Sequence, residues 1–318
     1  MKRVIVIDAL NAYFRAYIVN PSLSSNGQPI GGYKGFLGIL QKLAREMNPD
    51  EIVIAWDGAG GSARRKTVNK NYKAGRKPIR LNRGVRNMTE DEEMKNKVWQ
   101  QYRLIEMLNC TPAIQLMLDG TEADDIIAYV TQSARYDGWQ KIIISSDRDF
   151  FQLCDEETVL YRPIQKTYVN KPRLIEEYGI HPTNFALARA VAGDKSDNLP
   201  GVKGVGLATL AKRMPFFANE ESVTLTQLVD FCENNNTGLK KLEAIAEAKD
   251  LVAENYKIMQ LYAPSISIDG KNKIKYIFEN YEPLFNKTEI IKRMNEDGFG
   301  GMDLSDLFAI FKRFTTNT

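Results

Sequence analysis

Arg3-Val4-Ile5-Val6-Ile7-Asp8 decides how this chain is read. Four β-branched apolar residues in a row suit a strand buried on both faces, and such strands belong to parallel sheets. Asp8 ends the run with a carboxylate. The pattern returns at Glu51–Trp56, followed by Asp57, and at 141–146, where Ile142, Ile143 and Ile144 lead to Asp147. A further short strand is predicted over 113–117. Helical spacing lies between the strands. Phe36, Leu37, Leu40, Leu43 and Ala44 mark a helix over 33–47. Thr89-Glu90-Asp91-Glu92 resembles a capping box opening a helix that runs to about residue 108, and 122–136 also reads as helical. Alternating strands and helices predict an α/β fold: a mostly parallel central sheet with flanking helices. Ligands of such sheets bind beyond the carboxyl ends of the strands, where Asp8, Asp57 and Asp147 fall.

From about residue 171 the pattern turns helical. Helices are predicted over 172–178, 182–192, 205–214, 225–234, 239–249 and 251–262, punctuated by Gly, Pro and Asn. Residues 265–275 read as a polar connector, and 288–295 and 304–314 as two closing helices. The expected organisation is three consecutive segments. Residues 1–170 form the α/β domain, with a basic stretch at about 62–90. Residues 171–264 form a helical part, and 265–318 a C-terminal extension.

Composition narrows the function. Apolar residues make up 43% and charged residues 26% of the 318, as in a soluble globular protein. No apolar run approaches the ~20 residues of a membrane span, so no membrane partner is expected. The apolar stretch after Met1-Lys2-Arg3 is too short for a signal peptide. Cys110, Cys154 and Cys232 are odd in number and lack a CxxC pair, which argues against zinc and a disulfide framework and for a reducing cytoplasm. The single histidine, His181, excludes mechanisms needing two and sits where a helix begins, as a structural residue.

The net charge of +3 hides an asymmetry. Between Asp57 and Glu90 there is no acidic residue, while ten basic ones occur: Arg64, Arg65, Lys66, Lys70, Lys73, Arg76, Lys77, Arg80, Arg83 and Arg86. A basic block in an otherwise acidic chain implies a polyanionic partner, on which such a segment could order.

Carboxylates form the complementary pattern. Glu122, Asp124 and Asp125 open a predicted helix, where its dipole favours them. Asp147 and Asp149 follow an isoleucine-rich strand. Asp194 and Asp197 precede Gly201, Gly204 and Gly206. With Asp8 and Asp57 they make nine acidic residues. Crowded carboxylates repel one another, and hard divalent ions with oxygen ligands relieve that repulsion. The glycines would let backbone N–H groups near a phosphate, with Lys203 among them. In Asn71-Tyr72-Lys73-Ala74-Gly75-Arg76-Lys77 a tyrosine stands among cations, which suits base stacking beside phosphate contact.

Together these segments resemble the 5′-nuclease family of flap endonucleases, bacterial DNA polymerase I 5′-nuclease domains and phage 5′–3′ exonucleases. The resemblance covers about residues 3 to 262. It rests on Val6-Ile7-Asp8, Trp56-Asp57-Gly58, Tyr72-Lys73, Glu122-Ala123-Asp124-Asp125, Ser146-Asp147-Arg148-Asp149 and Gly193-Asp194 through Gly206. It implies a PIN-like α/β fold with a helix-three-turn-helix at about 193–214. It implies two Mg²⁺ ions, replaceable by Mn²⁺, and, as in relatives, K⁺ at the helix-three-turn-helix. One Mg²⁺ would use Asp8, Asp57, Glu122 and Asp124. The other would use Asp147, Asp149 and Asp197, with Asp124 near both and Asp125 and Asp194 acting through water. Lys73 and Arg76 would polarise the scissile phosphate, Tyr72 would stack on the terminal nucleotide, and Lys77 would join the contact with nucleic acid. Gly201, Lys203, Gly204 and Gly206 would grip duplex DNA.

Lys77-Pro78-Ile79 and Gly84 interrupt helix formation in the arch of the family pattern. The tail from Tyr281 loosely resembles free-standing phage members that remove RNA primers, and a free-standing monomer is expected. The implied activity is metal-assisted phosphodiester hydrolysis near 5′ ends of flaps, nicked duplexes or RNA–DNA hybrids. A single-strand-binding protein or a sliding clamp could dock on the extension. Two alternatives remain open at this point: a non-catalytic DNA-structure-binding protein, and a PIN-type ribonuclease acting on single strands.

Overall fold

The computed structural model describes residues 1–76, 79–81, 88–235 and 240–316. In chain order the elements are β1 (Arg3–Asp8), α1 (Ala9–Val19), α2 (Gly31–Met47), β2 (Glu51–Trp56), α3 (Ala63–Val68), α4 (Glu90–Leu108), β3 (Ile114–Met117), α5 (Ala123–Thr131), β4 (Gln140–Ile144), β5 (Thr158–Arg162), β6 (Thr167–Val169), α6 (Lys171–Tyr178), α7 (Pro182–Ala192), α8 (Leu207–Arg213), α9 (Leu225–Asn234), α10 (Lys240–Glu247), α11 (Lys249–Met259), α12 (Ile268–Glu279), α13 (Lys287–Glu296) and α14 (Ser305–Thr316). The expected α/β class, mostly parallel with a helical later part, is the one found. The three expected consecutive segments are not the compact bodies. One unit comprises Met1–Asp57, Pro78–Met117 and Ser267–Thr318, the other Gly58–Lys77 and Leu118–Ile266.

In the first unit the strands lie in the order β3-β2-β1, all parallel. The register sets Val4 opposite Glu51 and Asp8 opposite Ala55. Val4 to Ile7 and Ile52 to Ala55 are almost wholly buried, as their unbroken apolar runs require. Helix α2 buries Tyr33, Phe36, Leu37, Leu40, Leu43, Ala44 and Met47, one face of a 3.6-residue period. The capping box opening α4 is complete: Thr89 Oγ1 accepts from the Glu92 N–H, and the Glu92 carboxylate accepts from the Thr89 N–H.

The C-terminal helices close this unit. Phe299 meets Tyr33 edge-on at 4.5 Å, and Lys34 Nζ donates to the Phe299 carbonyl at 2.8 Å. Arg103 Nε grips both Asp297 oxygens, at 2.9 and 3.0 Å. The predicted connector at 265–275 is wrong. Ser267 caps α12 there, accepting from the Gly270 N–H, and Gly270, Ile274 and Phe278 point inward at helical spacing. Lysines on the opposite face gave the segment its polar appearance.

In the second unit β4 and β5 pair in parallel and β6 returns antiparallel to β5. His181 has the expected structural role: its ring caps α7, accepting from the Thr183 N–H. Cys110, Cys154 and Cys232 are buried free thiols.

Candidate active site

Each candidate residue is placed by the element that carries it. In the first unit, Asp8 ends β1 and caps α1, accepting from the Asn11 N–H at 3.1 Å. Asp57 follows the last residue of β2, the parallel neighbour of β1. Both therefore stand at the carboxyl edge of the same strand pair, as predicted.

The second unit holds the other seven carboxylates in two groups. Glu122, 3% exposed, precedes the first turn of α5. Its Oε2 accepts from Arg65 Nη1 at 2.8 Å and from the Tyr72 hydroxyl at 3.1 Å, and its Oε1 from Lys73 Nζ at 2.9 Å. Arg65 also donates to Asp125 Oδ2 at 2.7 Å and to the Ile258 carbonyl at 2.9 Å. Burial alone would raise the Glu122 carboxyl, but Arg65 and Lys73 outweigh it and hold it below the ordinary range. Burial likewise opposes the Lys73 ammonium, and Asp124 with Glu122 overcomes it, raising Lys73. Lys73 sits at φ 57°, a left-handed conformation uncommon outside glycine and concentrated at functional sites.

The second group surrounds Arg189. Asp147 Oδ1 accepts from the Asp149 N–H at 2.8 Å, so a turn directly after β4 turns both carboxylates into one space. Arg189 Nε donates to Asp149 Oδ1 at 3.2 Å, and Arg189 Nη2 pairs with Asp194. Burial, then Asp147, pushes the Asp149 carboxyl up to about 7. Asp147 is raised too, by burial first and with Asp197 and Asp194 contributing. Asp194 goes the other way: the Ser196 hydroxyl and Arg189 offset its burial and hold it low.

Asp194 and Asp197 ride on a tight hairpin. Asp194 and Leu199 exchange two backbone hydrogen bonds of 2.8 Å, and the Val202 N–H donates to the Val191 carbonyl at 2.8 Å. Gly193 has φ 77°, and a Cβ there would stand 2.3 Å from the Gly201 nitrogen. A Cβ on Gly201 would stand 2.1 Å from the Ala192 oxygen. These two glycines allow close backbone packing, and Gly201, expected to contact nucleic acid, is half-buried at the base of the hairpin. Lys203, Gly204 and Gly206 are exposed, with open space around both glycines. At the hairpin tip the Asp197 carboxylate pairs with Arg76, its carbonyl accepts from the Lys73 N–H at 2.9 Å, and Asn198 Nδ2 donates to the Asn71 carbonyl at 2.9 Å.

Two expectations change, and part of the basic stretch is not described. Tyr72, expected to stack on a nucleotide, is 2% exposed and tied to Glu122. Lys77, Arg83 and Arg86 lie outside the described residues. The basic stretch is partly neutralised from within, since Arg65 is buried and Arg80 pairs with Glu90 and Glu93. Sequence reasoning did not single out Arg65 and Arg189. A signal existed for Arg189, a lone cation inside the apolar helix Pro182–Ala192, where an arginine is rarely buried unless paired. Arg65 had none, being one cation among ten.

As placed, no three His, Cys, Asp or Glu side chains among the described residues form an ion-ready group. The protein's own cations hold the carboxylates instead. The donor set is nevertheless all oxygen, and a hard divalent ion would offset the burial and the neighbouring negative charge that raise Asp147 and Asp149. The residues fit such an ion, with Arg189 and Arg76 yielding part of their hold.

The fold that carries these carboxylates and cations is of the 5′–3′ exonuclease type. The chain belongs to that family, whose model, described as the 5′-3′ exonuclease N-terminal resolvase-like domain, matches residues 3–179. A thermostable DNA polymerase I of Thermus thermophilus is 32% identical over 209 residues, 65% of this chain and 23% of that protein. A 5′-3′ exonuclease of Aquifex aeolicus is 28% identical over 228 residues, covering 70% of this chain and 72% of the relative. The chain thus spans about a quarter of the length of the first of these relatives. Among solved structures, T5 5′-exonuclease with divalent zinc ions bound shares the fold at a TM-score of 0.69 and 18% identity. That match covers 88% of this chain and all of the other.

Proposed function

We propose that this chain is a Mg²⁺-dependent 5′-nuclease that hydrolyses phosphodiester bonds near the 5′ ends of flap DNA, nicked duplexes and RNA–DNA hybrids. The observation that carries the reading is the buried Asp147–Asp149 pair, both carboxyls pushed up, in the same unit as the hairpin of Asp194 and Asp197 whose tip holds Lys73 and Arg76. Glu122 and Asp124 offer further oxygen ligands in the second unit, and Asp8 and Asp57 offer oxygen ligands at the strand ends of the first. Bound divalent ions would acidify the attacking water and neutralise the leaving 3′ oxygen. The chain's own residues do the rest. Lys73 is held charged on Glu122, and Arg76 is half-exposed beside Asp197, so both can meet non-bridging phosphate oxygens. Arg65 fixes Glu122 and Asp125. Exposed Lys203, Gly204 and Gly206 offer the duplex a phosphate-binding edge.

The reading is tested on a 5′-labelled flap and an RNA–DNA hybrid side by side. Both should be cut with Mg²⁺, and neither after chelation. Failure to cut either sinks it. Lys73→Ala should lower kcat by ~10²–10³, with DNA affinity in Ca²⁺ changed less than about fivefold, since one phosphate contact is a small part of the grip. An unchanged kcat in single-turnover assays removes Lys73 from the chemistry.

A further inference from the structure

We infer that Asn255, on α11, is a positioning residue that staples the base of the Asp194–Asp197 hairpin. Asn255 is 0% exposed. Its Nδ2 donates to the Ala190 carbonyl at 2.9 Å and to the Pro200 carbonyl at 2.8 Å. Ala190 precedes the hairpin and Pro200 follows its last paired residue, Leu199, so one amide group bridges the two legs. Both partners are carbonyl oxygens, so the NH₂ must face them, whichever way the amide was first placed. The Asn255 Oδ1 is buried with no hydrogen-bond partner. A residue kept only to fill the core would not leave an orphan acceptor there, because a leucine of similar volume fills it without that cost.

The staple completes a pattern. Glu254 accepts from Asn69 Nδ2 at 2.7 Å, the Ile258 carbonyl accepts from Arg65, and the Met259 carbonyl accepts from Gln152, three residues after Asp149. Helix α11 therefore reaches the stretch of residues 65–69, the turn that follows Asp149 and both legs of the hairpin. Asn255 holds the base of the hairpin, while residues 71–76 hold its tip. Fixing its base fixes where Asp197 stands against Lys73 and Arg76 at its tip.

The functional half of this inference rests on the nuclease reading; the structural half does not. Amide hydrogen exchange, read on the free protein without metal or DNA, tests the staple. In Asn255→Leu the Asp194, Leu199 and Val202 amides should exchange about tenfold faster, as expected for loss of roughly one net hydrogen bond, while Ile142–Ile144 exchange as before. Nicked-duplex Kd, measured in chelator, should rise by a similar factor, and kcat per folded molecule should change less than the DNA KM. Asn255→Ser, smaller and still able to donate once, should fall between the two. Wild-type exchange at the three amides in both variants overturns the inference, as does a uniform rise across the unit or loss of folding in both, each of which makes Asn255 an ordinary core residue. Faster local exchange with unchanged duplex affinity keeps the staple and counts against the nuclease reading of the hairpin.

Discussion

Asp147→Asn combined with Asp149→Asn should yield a protein that binds flap DNA, cleaves it more than ~10³-fold more slowly and melts higher than the wild type in metal-free buffer. The loss of cleavage and the gain in stability have one cause. Burial and proximity push both carboxyls up, Asp149 to about 7, so their charged forms oppose folding unless a cation is present. The sign follows from linkage. A carboxyl whose folded pKa exceeds its unfolded value contributes its full stability below about pH 4. That contribution is lost as pH rises through about 7. Glu122 and Asp194 are shifted downward and act oppositely, their stabilisation disappearing only as pH falls into the acidic range. In chelator, the melting-temperature gap between double variant and wild type should therefore widen from pH 5.5 to pH 8, and Mg²⁺ should close it by stabilising the wild type alone. Undiminished turnover in the double variant, or a gap that ignores pH, would refute this account of the pair.

Arg65→Met should be the most destabilising single change in the second unit. Arg65 is 8% exposed, and its guanidinium serves Glu122, Asp125 and the Ile258 carbonyl at once. Methionine fills much of the volume but leaves two buried carboxylates with less counter-charge, Glu122 keeping only Lys73. Removing one partner of a buried ion pair typically costs ~3–5 kcal/mol, which for a unit of this size is a fall of about 10 °C in Tm. Arg65→Lys should recover only part, because an ammonium cannot span acceptors on three sides with a fixed fork. Thermal melts of the three proteins decide the matter: an Arg65→Met variant melting within about 1 °C of wild type would show that Glu122 and Asp125 are satisfied without it.

The sequence made the strand-end carboxylates legible because each follows an uninterrupted apolar run, and burial on both faces leaves little alternative to a parallel strand. The Thr89 capping box was readable because its chemistry is local, within four residues. What sequence could not show was partnership at long range. Arg65 and Glu122 are 57 residues apart, and nothing in the basic stretch distinguishes a buried guanidinium from a solvated one. Tyr72 read as a stacking ring because tyrosine among cations suits that role. Its hydroxyl instead finds a buried carboxylate, which only the folded chain brings to it. Helix α12 was missed because its inward residues, Ile274 and Phe278, are few among lysines. Strands β5 and β6 were passed over because their apolar runs are short and broken by polar residues.

The order in which the chain is made bears on how the first unit can form. Tyr33 and Lys34 wait for Phe299, and Arg103 waits for Asp297, partners separated by roughly two hundred residues or more. Every segment of the second unit has been translated by Ile266. On the ribosome, at about 5–20 residues per second, the second unit can therefore close seconds before the first has all its pieces. Through that interval the apolar face of α2 lacks its final cover, which makes the unfinished first unit the stretch of the nascent protein most exposed to chaperones and to misassociation.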